Sequence, residues 1–231
     1  MSSPAFNSAV GNLYLFFGPM FSGKSTKLRT EVTRFADLDF RVLYINHADD
    51  KRKTEKRNGL LTSHHSSFSS LSDKIDCIAS LKLGDVDISN YDVIGVDEAQ
   101  FFEDVDTVVR NWVLKDHKTV FVASLDGDFR ANTFGKVHNL ICICTSVEKL
   151  LSVCTYCTKQ AHPYPHVSMI PAPFTLRFKT APRVEGSKAV GGKDDYTAVC
   201  MKCFQEKYFE EPIVPVGVSL ISSGGLTGAS I

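Results

Sequence analysis

Residues Gly18-Pro19-Met20-Phe21-Ser22-Gly23-Lys24-Ser25 match the pattern G-x-x-x-x-G-K-[ST] and stand directly behind a short apolar run, LYLFF at 13–17. Glycines in such a loop let backbone N–H groups wrap phosphate oxygens, the lysine supplies a point charge, and the serine hydroxyl can meet Mg2+. That chemistry requires a strand before the loop and a helix after it, whose N-terminal dipole adds to the anion site. Both flanks fit, because a helix-compatible stretch follows at 26–38. The competing reading is a chance glycine turn between a strand and a helix.

Further apolar runs read as buried strands: VLYI at 42–45, YDVIGVD at 91–97, TVFVAS at 119–124 and ICIC at 141–144. Helix-compatible stretches lie at about 70–82 and at 102–114. Alternation of this kind over residues 11–150 predicts an α/β fold, a P-loop NTPase-like parallel sheet flanked by helices. The 43% of hydrophobic residues in a chain of 231 suffice for its core. Trp112 belongs in that core, and Cys77, Cys142 and Cys144 read as small buried hydrophobes.

Twenty-six basic residues balance twenty-six acidic ones, so no global field draws a long nucleic acid or an anionic membrane. Anion binding must therefore be local. The opening MSSPAFNSAVG lacks a basic n-region and the run Leu13 to Phe17 is too short to span a bilayer, which gives the expectation of a soluble, cytoplasmic protein. From His47 to Ser72 the chain carries KRKTEKRNG and SHHSSFSS, with too few apolar residues for a core. A mobile surface loop is expected there, with His64 and His65 solvated. Residues 1–10 and 211–231 read as flexible ends.

The run Val93-Ile94-Gly95-Val96 ends in Asp97-Glu98-Ala99-Gln100-Phe101. In nucleotide-binding parallel sheets the carboxyl ends of strands face the ligand crevice, so Asp97 can hold Mg2+ while Glu98 takes a proton from an attacking hydroxyl. The plainer alternative is a pair of acids at a helix N-terminus. Phe101, beside the carboxylates, could pack on a planar base.

Cys154-x-x-Cys157 and Cys200-x-x-Cys203 supply four soft thiolates, enough for one closed tetrahedral Zn2+ site. A redox or disulfide role is the alternative. The 42 residues between the pairs hold most of the prolines, and a tether of that length closed at its base suggests a lid over substrate. Residues 151–210 thus read as a small C-terminal zinc-binding domain.

Taken together, GPMFSGKST, VDEAQFF, SLDGDFRANTFG and the paired cysteine motifs resemble the cellular, zinc-containing (type II) thymidine kinases, from about Gly11 to about Tyr208. The resemblance implies a P-loop α/β domain, a zinc domain bearing a "lasso" over the nucleoside, and transfer of the ATP γ-phosphoryl to the 5′-hydroxyl of thymidine or deoxyuridine. It implies that Gly18 to Ser25, Asp50, Arg52, Asp97 and Gln100 line the ATP and Mg2+ site and that Glu98 is the general base. Met20, Phe101, Leu125, Phe129 and Phe134 would form the thymine pocket. In the lasso, Ser187, Lys188, Ala189, Val190 and Gly191 would bind the base through backbone and Tyr196 would close the site, with Arg177 of Phe174-Thr175-Leu176-Arg177 on the lasso. Feedback by thymidine triphosphate and assembly into dimers or tetramers are further implications.

Three departures from the family pattern stand out: Ala99 where many relatives have glycine, Thr133 where proline is usual, and the inserted AHPYPHVSMIPAP at 161–173. The rival from another class is a non-enzymatic nucleotide switch, which leaves FRANTFG and Tyr196 without a role.

Overall fold

The computed structural model describes residues 10–49, 74–161, 169–178 and 194–208. Its centre is a six-stranded sheet, with β1 (Asn12–Gly18), β2 (Val42–His47), β3 (Ile75–Ser80), β4 (Val93–Val96), β5 (Thr119–Leu125) and β6 (Ser146–Lys149). The strands lie in the order β3-β2-β4-β5-β1-β6, and every neighbouring pair is parallel. Parallel strands require crossovers, so both faces are covered and alternate side chains feed two cores.

On one face, Phe16, Val42, Tyr44, Val93, Phe121 and Ala123 pack against Leu28, Val32 and Ala36 of α1 (Lys24–Asp37). On the other, Leu13, Leu15, Leu43, Ile45, Ile94, Val96 and Val122 pack against Val105, Val109, Trp112 and Val113 of α2 (Val105–Leu114). Gly95 of β4 is bare for a reason of space. A Cβ there would lie 3.0 Å from Val32 and 3.3 Å from Tyr44, so the missing side chain admits helix α1 and a phenol ring against the sheet.

The C-terminal part is built from short pieces. Strands β7 (Ser152–Val153) and β8 (Pro171–Ala172) pair antiparallel, as do β9 (Phe174–Arg177) and β10 (Tyr196–Val199). Helices α3 (Thr155–Ala161) and α4 (Met201–Tyr208) follow the first and second cysteine pairs' leading residues. Their shared core holds Cys154, Ala172, Leu176, Ala198, Val199, Cys200, Cys203 and Phe204.

Several expectations need correction. The stretch at 70–82 contains no helix among its described residues: Ile75–Ser80 is the edge strand β3, drawn into extended form by its parallel ladder with β2. ICIC is not a strand. A 3-10 helix runs over Val137–Ile143, burying Val137 and Leu140 at a three-residue spacing and leaving Ile141 and Cys142 exposed. The strand in that region is β6, whose four residues are all exposed, so no apolar run marks it; backbone pairing with β1 holds it, with ion pairs from Glu148 to Lys27 and from Lys149 to Asp126. Cys142 is therefore exposed, and Cys77 and Cys144 are only partly buried. His47 belongs to β2 and is buried, with its ring against Phe101 and Phe102, rather than opening a surface loop. The rest of that expected loop, from residue 50 to 72, and both expected flexible ends apart from Val10 lie outside the described residues.

Candidate active site

The phosphate-loop motif occupies the turn between β1 and α1, at the carboxyl end of a central strand. Gly18 has φ 151°, and a Cβ on it would stand 2.3 Å from the Leu150 carbonyl oxygen, so only glycine lets the loop leave the sheet beside β6. Helix α1 opens on Gly23 in the left-handed conformation without a side-chain cap, which turns its first-turn N–H groups toward the loop. The Lys24 ammonium spans the loop, donating to the Pro19 carbonyl at 2.6 Å, and the Ser22 hydroxyl donates to the same carbonyl at 2.9 Å.

Asp97 and Glu98 follow directly from β4, which places them next to that loop. Ser25 donates its hydroxyl to Asp97 Oδ1 at 3.0 Å, the Glu98 N–H donates to the same oxygen at 2.9 Å, and Tyr44 O–H donates to Oδ2 at 2.6 Å. Burial and then repulsion from Glu98 push the Asp97 carboxyl up, while Tyr44, Arg29 and Ser25 pull it down. Hard oxygen donors from Ser25 and Asp97 at one spot suit Mg2+.

Glu98 adopts φ 50°, a left-handed conformation that costs a non-glycine residue about 1–2 kcal/mol. Gln100 holds it there. Its amide N–H donates to Glu98 Oε2 at 2.6 Å, and its carbonyl oxygen accepts from the Ser124 hydroxyl and the Leu125 N–H at 3.2 and 3.0 Å. The strained carboxylate is thus tied to the end of β5. Gln100 is itself buried, acting as a strut between Glu98 and Leu125.

An aromatic wall stands over the strand ends. Phe101 meets Phe134 edge-on at 5.6 Å, and the Phe129 ring lies 6.5 Å from that of Tyr196 on β10. The Arg177 guanidinium of β9 stands 5.5 Å from the Phe129 ring centre and 6.0 Å from that of Tyr196. A cation between two aromatic faces joins the wall's halves, one from the sheet and one from the C-terminal hairpin.

The phosphate loop also touches the C-terminal part directly. The Met20 N–H donates to the Thr175 hydroxyl at 2.9 Å, and Phe21 packs on the core around the cysteines. Phe21 has φ 63°, so its backbone is turned to make that contact. The four cysteines Cys154, Cys157, Cys200 and Cys203 bring their sulfurs within 4.8 Å of one another, with Cys157 at 3.8 Å from Cys200 and 3.6 Å from Cys203. Thiolates about 2.3 Å from zinc stand about 3.8 Å apart in a tetrahedron, so the cluster fits such a metal. Burial opposes the Cys154 thiolate, yet hydrogen bonds from Cys157 and Cys200 outweigh it and bring its pKa down to about 7. Cys157 and Cys203 are shifted the other way, Cys157 chiefly by its hydrogen bond with Cys154 and Cys203 by burial, so the fit to a metal rests on the spacing of the sulfurs.

The family model described as thymidine kinase matches residues 11–204, which takes in the phosphate loop, both carboxylates, the aromatic wall and all four cysteines. The chain belongs to the thymidine kinase family. Among curated relatives it is 35% identical over 206 residues to the cytosolic thymidine kinase of Bos taurus, covering 88% of this chain and 76% of that one. It is 35% identical over 196 residues to the thymidine kinase of Monkeypox virus and 34% identical over 194 to that of Raccoon poxvirus; each match covers 84% of this chain and 97% of the relative. No helix among the described residues is long and apolar enough to cross a membrane.

For a thymidine kinase read from its sequence, the structure brings together Gly18 to Ser25, Asp97, Glu98, Gln100, Phe101, Leu125, Phe129, Phe134 and Tyr196 around the carboxyl ends of β1, β4 and β5. Asp50, Arg52 and Ser187 to Gly191 lie outside the described residues, as do most of the inserted residues 161–173. Tyr44, Arg29 and His47 escaped the sequence reading because each sits in a run that reads as ordinary strand or helix. Thr175 was visible only as part of Phe-Thr-x-Arg, and its partner Met20 is 155 positions away.

Proposed function

We propose that this chain is an ATP-dependent kinase that transfers the γ-phosphoryl group to the 5′-hydroxyl of thymidine, and of deoxyuridine, giving the monophosphate. One observation carries the reading: a phosphate loop hydrogen-bonded to Asp97 lies beside a restrained carboxylate, Glu98, and is tied through Met20 to a hairpin whose Tyr196 meets Phe129. A nucleotide-hydrolysing switch needs the first of these and has no use for the other two.

The backbone of Gly18 to Ser25 and the ammonium of Lys24 take the donor phosphates and spread the charge that grows on the equatorial oxygens in the transition state. Ser25 and Asp97 would hold Mg2+, whose charge would offset that of the donor phosphates. Glu98, restrained by Gln100 with one carboxylate oxygen engaged, accepts the proton of the 5′-hydroxyl as that oxygen attacks. Phe129, Tyr196, Phe101, Phe134, Leu125 and Met20 bound a flat slot for a pyrimidine, and a purine would strike the wall. The family pattern assigns backbone contacts with the base to residues 187–191 and contacts with the phosphates to Asp50 and Arg52, all of them outside the described residues. The four cysteines would hold a structural Zn2+, which would brace the hairpin carrying Arg177 and Tyr196. A dimer or tetramer in the cytoplasm, inhibited by thymidine triphosphate, accords with the same membership.

Incubation with ATP, Mg2+ and a panel of nucleosides tests the reading. Phosphate transfer to thymidine and deoxyuridine, with purine nucleosides inert, is the expected result. Steady ATP hydrolysis indifferent to every nucleoside would overturn it.

A further inference from the structure

Tyr44 is a phenol in the interior of the sheet, 0% exposed, between the apolar Val42, Leu43 and Ile45 of β2. Its ring pairs in register with Gly95 and fills the space that a side chain there would take. Its hydroxyl reaches Asp97 Oδ2 at 2.6 Å. Behind the ring stands Arg29, on the inner side of α1, with its guanidinium carbon 5.8 Å from the Tyr44 centroid and its Nε buried without a hydrogen-bond partner. A buried guanidinium is costly unless a charge answers it. Here burial disfavours the Arg29 charge, and Tyr44 together with Asp97 more than offsets that.

A carboxylate offers about four acceptor positions. On Asp97, Oδ1 already receives Ser25 Oγ and the Glu98 N–H, and Oδ2 receives Tyr44. Two of these donors come from groups that any phosphate loop and strand end provide. The third comes from β2 and is backed by a charge from α1. Without it, the second oxygen of a carboxylate only 5% exposed would lose the one hydrogen-bond donor given to it among the described residues.

We infer that Tyr44, backed by Arg29, is a positioning residue for Asp97, fixing the plane of its carboxylate from the β2 side while Ser25 fixes it from the phosphate loop. The pair thereby sets how well the site accepts the metal–nucleotide complex rather than the bare nucleotide or the nucleoside. The inference rests on the proposed role of Asp97 at the Mg2+ site. Tyr44→Phe is the direct probe, since it keeps the ring against Gly95 and removes only the donor.

Calorimetric titration with the non-hydrolysable analogue β,γ-imido-ATP, once with Mg2+ and once with EDTA, measures the gain in affinity that Mg2+ confers. In Tyr44→Phe that gain should fall about tenfold, the scale of one hydrogen bond to a charged group, with the EDTA affinity within about twofold of wild type. Arg29→Met should lower it by about threefold, and Arg29→Lys should recover part of the loss. In steady state the defect should appear in KM for Mg·ATP and leave KM for thymidine unchanged. A Mg2+-dependent gain in Tyr44→Phe within about twofold of wild type would overturn the inference while leaving the kinase reading intact. Absence of any such gain in wild type would overturn both. If circular dichroism shows Tyr44→Phe unfolded, Arg29→Met decides in its place, and an unchanged gain there overturns the inference.

Discussion

At the end of the sheet, Lys24, Ser25, Asp97 and Glu98 stand on strands and a helix packed between two apolar layers, and hydrogen bonds inside the protein hold each carboxylate. Across the cleft, Thr175, Arg177 and Tyr196 stand on a ladder of four residue pairs. The core beneath that ladder is small, and three of its buried members among the described residues are cysteines. A two-stranded hairpin is marginal in water. One half of the site is thus positioned by burial and register, and the other rests on a small core whose four clustered cysteines could hold a metal. The hydrogen bond from Met20 to Thr175, the packing of Phe21 on the cysteine core, and the contacts of Phe129 with Arg177 and Tyr196 are where the two halves meet.

Removing the proposed zinc should break the comparison most sharply. Structural zinc supplies on the order of 10 kcal/mol to small metal domains, so Cys200→Ser or exhaustive chelation should unfold the hairpin and abolish thymidine turnover. Calorimetry should still detect ADP on the sheet half. Loss of ADP binding together with turnover would show that the sheet depends on the metal as well.

Glu98→Gln tests the sheet half alone. Turnover should drop by roughly 10²-fold or more, with thymidine affinity preserved in equilibrium binding, because the loss is of a general base. Near-normal turnover would sink the assignment of Glu98. Thr175→Val probes the seam, leaving the Met20 N–H without its partner at a cost of about 1–3 kcal/mol. A raised KM for thymidine with the urea midpoint lowered is expected; a variant indistinguishable from wild type would show that the halves are coupled elsewhere.

The smallest effect belongs to the outer rim of the sheet. Arg41 donates to both oxygens of Asp92, at 2.8 and 3.1 Å, and this hydrogen bonding holds the Asp92 carboxyl below its ordinary range. A carboxyl depressed on folding stabilises the protein at pH above its unfolded value, and that contribution is lost as pH falls through the folded value. Asp92→Asn should therefore cost less than about 1 kcal/mol at neutral pH, given its partial exposure. Denaturation curves of the two proteins should converge in acid; a constant gap would show that the pair's charge is not the cause.

The phosphate loop was legible because its requirements are local: an apolar run, glycines at fixed spacing and a helix start lie within one short segment. Asp97 and Glu98 were legible for the same reason, as the end of an apolar strand. The cysteines declared themselves by side-chain chemistry and spacing. Strand β6 was hidden because all four of its residues are exposed, and β3 because its composition also suits a helix. Tyr44 was hidden in plain sight, for in VLYI a tyrosine reads as one more apolar residue until its hydroxyl is seen to have a partner.

By itself, then, the sequence determined the chemistry available to this protein: a phosphate cradle, two acids at a strand end, an aromatic stretch and four thiolates. These are properties of residue type and short spacing, which survive without knowledge of the fold. Only the tertiary structure decided which groups restrain which. Tyr44 meets Asp97 across 53 positions, Met20 meets Thr175 across 155, and Cys157 meets Cys200 across 43. Contacts of that range follow from strand order and register, which no local pattern encodes, because they depend on how the whole chain buries its apolar faces.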